Sequence, residues 1–257
     1  MRRAGAAALL AIVVAGCGGS HAALGAKGPS SLPSLASRCG SRVDAKVGWF
    51  HASDGVLLDG ALLGGGKTGI VLAHESPADL CGWVPYARVL SAAGFRVLLI
   101  DHRGSGFSQP PTDPTEQDRY SNDLVGAVSE LKRDGAHSVF LMGASFGGVT
   151  SMAAAPRLGS KIAGVISVSG ETRLGPGDLD ALAAVPKLHV PFLILGSRED
   201  GYLPVTDARE LLKRAASTHK RLVLFEGGDH GWDILTISPS HARASRIVID
   251  FLHRYAS

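Results

Sequence analysis

The segment Gly143-Ala144-Ser145-Phe146-Gly147 has the pattern G-x-S-x-G. It follows an apolar run at residues 138–142 and precedes a segment with helical spacing, so the chain passes from a strand through a tight turn into a helix. A serine at the apex of such a turn is held in a strained backbone conformation, with its hydroxyl pushed outward. The two glycines are needed because a Cβ at either position would collide with the neighbouring strand or helix. The pattern predicts an outward-facing, reactive hydroxyl on Ser145.

The segments on either side alternate between continuous apolar runs and amphipathic stretches, with no internal repeat. Continuous apolar strands are typical of a sheet that is covered on both faces. We therefore expect an α/β fold with a mostly parallel, doubly wound sheet and helices on both faces. The expected strands are 47–51, 56–63, 69–73, 95–100, 138–142, 162–168, 190–195 and 221–225. The expected helices are 79–93, 122–133, 206–216 and 240–255, together with the one that follows Ser145.

A serine hydroxyl is a poor nucleophile unless a base takes its proton, and the base needs an acid to orient it. His230 follows an apolar strand and is flanked by glycines, so it lies on a loop where a general base is reachable. Asp200 and the adjacent Glu199 follow the strand before it. These residues are the candidate base and acid.

These motifs together resemble the α/β-hydrolase superfamily over residues 47–255, and the serine turn is similar to its nucleophile elbow. The subtype is similar to dienelactone hydrolase and to the catalytic domain of prolyl-oligopeptidase-type enzymes. The resemblance implies a triad of Ser145, Asp200 and His230 in the family's chain order. Asp200 fits the family's acid loop, since it stands shortly before Leu203-Pro204, and Glu199 is the alternative acid.

The resemblance also implies an oxyanion hole. One donor would be the backbone N–H of Phe146, and the other would come from the loop after strand 69–73, at Glu75 or Ser76. Many relatives carry glycine where this chain has Glu75, which leaves the role of that carboxylate open. Residues 101–108 resemble the family's Arg-Gly corner, whose implied role is structural.

The segment between the strands ending near Val168 and starting near Val190 has room for only a short helix at 178–184. Many relatives insert a helical cap here, so we expect a minimal or absent cap and an open site. The candidates for the pocket wall are aromatic residues: Trp83, Phe146, Tyr202 and Trp232.

The N-terminal segment has the pattern of a secretory signal, with a basic start and a short apolar run. It ends in Ala15-Gly16-Cys17, which resembles a bacterial lipobox. We expect a signal peptide at 1–16, a lipid-carrying Cys17, a flexible tether at 17–41 and a folded domain at 42–257. The alternative is an ordinary signal peptide with a chance cysteine. The lipid would hold the protein in the cell envelope, on the outer side of the bacterial cytoplasmic membrane or on a periplasmic or outer-membrane leaflet.

Export to an oxidising compartment favours a disulfide between the other two cysteines, Cys39 and Cys81, with two unpaired thiols as the alternative. The net charge is +3, and no basic patch indicates nucleic acid. The stretch 64–68 resembles a phosphate loop, but it lacks the first glycine and precedes a strand, so it predicts a hairpin turn. We expect no metal and no cofactor.

The sequence therefore predicts a serine hydrolase that cleaves esters of small or medium molecules through an acyl-enzyme on Ser145. A serine peptidase or amidase of the same fold is the alternative activity. A non-catalytic envelope binding protein is the alternative from another class. The sequence does not determine the oligomeric state.

Overall fold

The computed structural model describes residues 24–256, which form one eight-stranded sheet with helices on both faces. The strands lie in the order β1-β2-β4-β3-β5-β6-β7-β8. β2 is antiparallel to β1 and to β4, and the other neighbours are parallel. The mostly parallel, doubly wound sheet expected from the sequence is confirmed. The strands are β1 Lys46–His51, β2 Leu57–Leu63, β3 Thr68–Ala73, β4 Arg96–Ile100, β5 Ser138–Ala144, β6 Gly164–Val168, β7 Phe192–Ser197 and β8 Lys220–Phe225.

The helices cover the sheet as two layers. They are α1 Leu35–Cys39, α2 Val84–Ala92, α3 Ser121–Arg133, α4 Phe146–Leu158, α5 Ala181–Ala184, α6 Val205–Arg214, α7 Asp233–Thr236 and α8 His241–Tyr255. Buried side chains of α3, α4, α5 and α6 share one hydrophobic cluster, whereas those of α1, α2, α7 and α8 share another. Side chains of the strands belong to both clusters. In β3, Val71 and Ala73 face the first, and Ile70 and Leu72 face the second. This alternation explains why the strand sequences are apolar at every position.

The register of the parallel strands brings their carboxyl ends to one edge of the sheet. Ala73 at the end of β3 pairs with Gly143 of β5, and Ala144 pairs with Val168 at the end of β6. The ends of β7 and β8 also pair, at Ser197 and Phe225. The loops that follow these strands therefore meet along this edge, which is where ligands bind in open α/β sheets.

The predicted helix over 79–93 is interrupted. The structure has a short 3₁₀ turn at Leu80–Trp83, and α2 begins only at Val84. Pro85 lies in the first turn of α2 and has no backbone N–H, so it cannot continue an α-helix from the preceding turn. The predicted apolar spacing is present, but Pro85 divides the segment into a 3₁₀ turn and an α-helix.

The predicted tether at 17–41 is wrong for its described part, residues 24–41, which pack on the domain. Leu24 is buried, and its N–H donates to Glu130 Oε1. The indole N–H of Trp49 donates to Ser30 O at 2.9 Å. Further along, α1 is held by the Arg38 ion pair with Asp59. Burial of Leu24 and these polar contacts outweigh the flexibility that the Gly/Ser/Pro-rich composition suggests.

Cys39, the last residue of α1, forms a disulfide with Cys81. This link joins the N-terminal segment to the turn after the loop that follows β3. Residues 1–23 lie outside the described part of the chain, and with them the predicted signal peptide and Cys17. Within residues 24–256, no helix has the length and apolar character needed to cross a membrane.

Candidate active site

The serine turn lies at the carboxyl edge of the sheet, between β5 and α4. Ser145 has φ 47° and ψ −118°, a region that residues other than glycine rarely occupy. A Cβ on Gly143 would lie 2.0 Å from Gly147 O, and one on Gly147 would lie 2.2 Å from Ala73 O. The glycines therefore allow the strand, the turn and β3 to approach closely, and this packing holds Ser145 in its strained conformation.

Asp200 and His230 meet beside this turn, on the loops after β7 and β8. His230 Nδ1 lies 2.9 Å from both carboxylate oxygens of Asp200. Asp200 is buried, and its Oδ1 also accepts hydrogen bonds from the N–H groups of Tyr202 at 2.9 Å and Leu203 at 3.2 Å. Glu199, the alternative acid, has an exposed side chain. The structure thus brings Asp200, and not Glu199, to the histidine.

The two side chains shift each other's pKa. Burial acts to raise the pKa of Asp200, but the hydrogen bonds from His230 and from the Tyr202 N–H outweigh it and hold that pKa below its usual value. For His230, burial acts to lower the pKa, and the hydrogen bond and charge of Asp200, followed by the charges of Glu171 and Glu75, raise it overall. Asp200 accepts the Nδ1 proton, so Nε2 is the nitrogen left to act as a base.

Ser145 donates its hydroxyl proton to Glu171, a residue that the sequence reasoning missed. Ser145 Oγ lies 3.2 Å from Glu171 Oε1 and 3.4 Å from Oε2. Among the described residues, no hydrogen bond joins Ser145 to His230. A signal for Glu171 was present in the sequence, because it follows β6, the strand next to β5, and so lies beside the residue that follows β5.

The loop after β3 packs against the serine turn and carries the residues predicted as second oxyanion donors. Buried His74 has its pKa lowered to about 3 by burial and by the charge of His102, so it is neutral. Its Nε2 accepts from the His102 N–H at 3.1 Å, so Nδ1 carries the proton and donates to Glu75 O at 2.8 Å. This bond fixes the peptide group between Glu75 and Ser76.

The Glu75 side chain, whose role the sequence left open, turns toward the histidine loop. Its Oε2 accepts from the backbone N–H of Trp232 at 3.4 Å. Burial is the main cause that raises the pKa of Glu75 above its usual value. The carboxylate therefore lies at the site.

A cleft of about 570 Å³ opens beside the loop after β3 and is lined in part by Ser76, Tyr120, Phe146 and Trp232. Two of the four predicted wall residues, Phe146 and Trp232, thus line it. Tyr202 instead packs against His230, with ring centroids 4.7 Å apart and the ring planes tilted by 48°, and it is 70% exposed.

Trp83 was predicted wrongly as a wall residue. It is fully buried, and its indole N–H donates to Ala73 O at 2.8 Å. The segment between β6 and β7 contains only short turns and the four-residue α5, consistent with the expected minimal cap.

The corner at 101–108 is a buried polar network. Arg103 is 1% exposed; its Nε donates to Asp123 Oδ1 at 2.8 Å, and its Nη2 lies 2.9 Å from Asp54 Oδ2. Asp101 Oδ1 accepts from the Leu80 N–H at 2.7 Å. The network connects the loop after β4 to α3 and to the turn before α2, which supports the site without entering it.

Within residues 24–256, no group of three or more His, Cys, Asp or Glu side chains is arranged to hold a metal ion.

The family model described as "alpha/beta hydrolase fold" matches residues 69–188. A Pseudomonas 2-hydroxy-6-oxononadienedioate/2-hydroxy-6-oxononatrienedioate hydrolase is 34% identical over 92 residues, which are 35% of this chain and 31% of that protein. Epoxide hydrolase 3 of Siraitia grosvenorii is 32% identical over 99 residues, which are 38% of this chain and 30% of that protein. The match therefore spans about a third of the length of these relatives.

Solved structures match over more of the chain. An esterase of Pyrococcus furiosus superposes with a TM-score of 0.71 at 18% identity, and the match covers 89% of this chain and 98% of the esterase. An enol-lactonase of Burkholderia xenovorans superposes with a TM-score of 0.65 at 23% identity, over 79% of this chain and 99% of that enzyme. At these identities the likeness concerns the fold.

Proposed function

We propose that this chain, which has the α/β-hydrolase fold, is a serine hydrolase of that superfamily. The proposed reaction is the cleavage of carboxylic esters of small or medium size through an acyl-enzyme on Ser145. One observation carries the proposal: His230 Nδ1 lies 2.9 Å from both oxygens of buried Asp200, on loops that meet the strained Ser145 turn. Nucleophile, base and orienting acid thus share one edge of the sheet, in the chain order usual for this fold.

In this mechanism Ser145 first turns its hydroxyl from Glu171 to His230, a rotation about one side-chain bond. Oγ then attacks the carbonyl carbon, and its proton passes to His230 Nε2. The imidazolium that forms is stabilised by Asp200. The tetrahedral intermediate collapses, the leaving alcohol takes the proton from His230, and the acyl group remains on Ser145. Water, activated by the same histidine, then releases the acid.

The oxyanion would be stabilised by two backbone N–H groups. That of Phe146 belongs to the first residue of α4 and has no acceptor within the helix. For the second donor we favour Ser76 over Glu75. The Glu75 carbonyl is held by His74, and in a trans peptide the Ser76 N–H points the opposite way from that carbonyl. Ser76 also lines the cleft together with Phe146.

The test is turnover of p-nitrophenyl acetate by the wild type and by Ser145→Ala. We expect the variant to keep its fold, since within residues 24–256 the Ser145 hydroxyl bonds only to Glu171, and to lose at least about 10³-fold in kcat. A fluorophosphonate probe should label the wild type and not the variant. Equal turnover by the two proteins would refute the proposal, and absence of both turnover and labelling in the wild type would favour a non-catalytic binding protein.

We also propose that Cys17 carries lipid and holds the domain at the cell envelope, on the strength of the lipobox-like sequence. Leu24, the first described residue, is buried against the domain, and only seven residue steps separate it from Cys17. At ~3.5 Å per residue, the domain surface would then lie within about 25 Å of the anchor. Labelling with a palmitate analogue in bacterial cells should mark the wild type and not Cys17→Ser, and an unlabelled wild type would refute the proposal.

A further inference from the structure

Glu171 occupies a place in the site that the triad chemistry does not use. Its carboxylate accepts the hydroxyl proton of the nucleophile, with Oε1 3.2 Å from Ser145 Oγ. The turn that carries it is built tightly: Ser169 has φ 53°, and a Cβ on Gly170 would lie 3.0 Å from the backbone of Gly148 in α4. A strained residue and a close approach fix the position of Glu171, so the contact with Ser145 follows from the fold.

The charge of Glu171 has no permanent counter-charge. Two fully buried carboxylates of this chain are paired with arginine, Asp123 with Arg103 and Asp59 with Arg38. Within residues 24–256, no lysine or arginine lies within ion-pair distance of Glu171, and the nearby imidazole of His230 must be neutral to act as a base. Half-burial of the side chain raises its pKa, which reflects the same missing partner.

This arrangement opposes catalysis on a neutral ester. A carboxylate that holds the Ser145 proton competes with His230 for it. It also lies within a few ångströms of the carbon that Ser145 attacks, and repulsion of the developing oxyanion over ~5 Å at an effective dielectric constant near 20 slows the reaction on the order of 100-fold. A positive charge on the substrate would remove both effects, because it would pair with the carboxylate and release the hydroxyl to His230.

We propose that Glu171 is a specificity residue that selects substrates with a positively charged ammonium group close to the scissile carbonyl. The inference rests on the proposed serine-hydrolase function and narrows its substrate class. In the empty site Glu171 pairs with the Ser145 hydroxyl, and in the substrate complex it pairs with the ammonium group. Glu75, the other half-buried carboxylate at the site, adds negative charge that favours the same substrates.

The test compares isosteric ester pairs that differ only in charge. Acetylthiocholine against 3,3-dimethylbutyl thioacetate places the charge on the leaving group, and the p-nitrophenyl esters of β-alanine and butyrate place it on the acyl group. The wild type should favour the charged member of at least one pair by 10-fold or more in kcat/KM. Glu171→Gln should bring that ratio to within about 3-fold of one and should raise turnover of the neutral ester, because the charge that opposes the reaction is removed.

Glu226→Gln is the matched control, because Glu226 lies on the surface with its side chain 84% exposed and paired with Arg198. The ratio of kcat/KM for the charged ester to that for the neutral ester should be the same in Glu226→Gln as in the wild type. In the wild type itself the preference should also fall as ionic strength rises, a readout that does not depend on the folding of a variant. Ratios near one for both pairs in the wild type, or a preference that persists in Glu171→Gln, would overturn the inference.

Failure of the hydrolase proposal gives a different result. In that case neither the neutral nor the charged esters are turned over, or their turnover survives Ser145→Ala. A wild type that hydrolyses neutral esters through Ser145 without a preference for charge would leave the hydrolase proposal standing and remove only the role of Glu171.

Discussion

Reduction of the Cys39–Cys81 disulfide should lower the stability of the domain and leave its chemistry intact. The bond closes a loop of 42 residues. In the chain-entropy description, a loop of this length removes about 13 cal/mol/K from the unfolded state, or about 4 kcal/mol at 25 °C. For a domain of this size, 1 kcal/mol shifts Tm by about 2–4 °C, so the expected loss is about 8–16 °C.

Activity should survive below the new Tm because other bonds hold the same segment. The Leu80 N–H donates to Asp101 at 2.7 Å, and the Trp83 indole donates to Ala73 O at 2.8 Å. These contacts fix the turn beside the loop after β3 whether or not Cys81 is oxidised. We expect kcat for p-nitrophenyl acetate to stay within about 2-fold of the oxidised value at 25 °C, since no reacting group moves.

Thermal unfolding followed by circular dichroism, with and without dithiothreitol, measures the shift. Cys39→Ser/Cys81→Ser is the matched control: its Tm should equal that of the reduced wild type and should not respond to dithiothreitol. A shift below about 2 °C, equivalent to less than 1 kcal/mol, would refute the loop-closure reasoning. A large loss of kcat on reduction would show that the disulfide, and not the hydrogen bonds, positions the site.

Three further expectations follow from the site and its support. Esterase activity should rise with pH as His230 loses its proton, with a midpoint above 6.5 because Asp200 raises that pKa; a midpoint below 6.5 would contradict this. Asp200→Asn should lower kcat by about 10³- to 10⁴-fold and move the midpoint of the residual activity to lower pH, because the charge that favours the imidazolium is lost. Arg103→Met should lower the free energy of unfolding in urea by about 3–5 kcal/mol, because buried Asp123 loses its partner, whereas Arg198→Met on the surface should cost less than about 1 kcal/mol.

The sheet was predictable because its strands are buried on both faces and therefore apolar at every position. Glycine and proline marked most of the ends correctly, and the strands differ from expectation by two residues or fewer at either end. The packed segment at 24–41 was not predictable, since burial of Leu24 against Glu130 depends on tertiary contacts that no local pattern reports. Composition predicts that this segment would be flexible if it were isolated. Contacts with the domain surface order it instead.

The position of Trp83 also depends on tertiary contacts that the local sequence does not predict. It was predicted to line the pocket because it is an aromatic residue near the predicted site, but aromatic residues also pack in the core. The structure places its ring in the core and its N–H on Ala73 O. Which side of a turn faces the core depends on where the helix begins, and Pro85 moved that start to Val84.

The resemblance to a family predicts the triad residues but does not predict Glu171. Ser145, Asp200 and His230 occupy fixed places in the order of strands, so a resemblance assigns them. Glu171 follows β6, and its relation to Ser145 appears only when the register places β6 beside β5. Glu171 is the third residue after β6, and the pairing of β6 with β5 brings its loop beside the turn that carries Ser145. A change in the loop after β6 can therefore alter the substrate while the proposed triad is kept, and under our proposal the carboxylate of Glu171 directs that change toward positive charge.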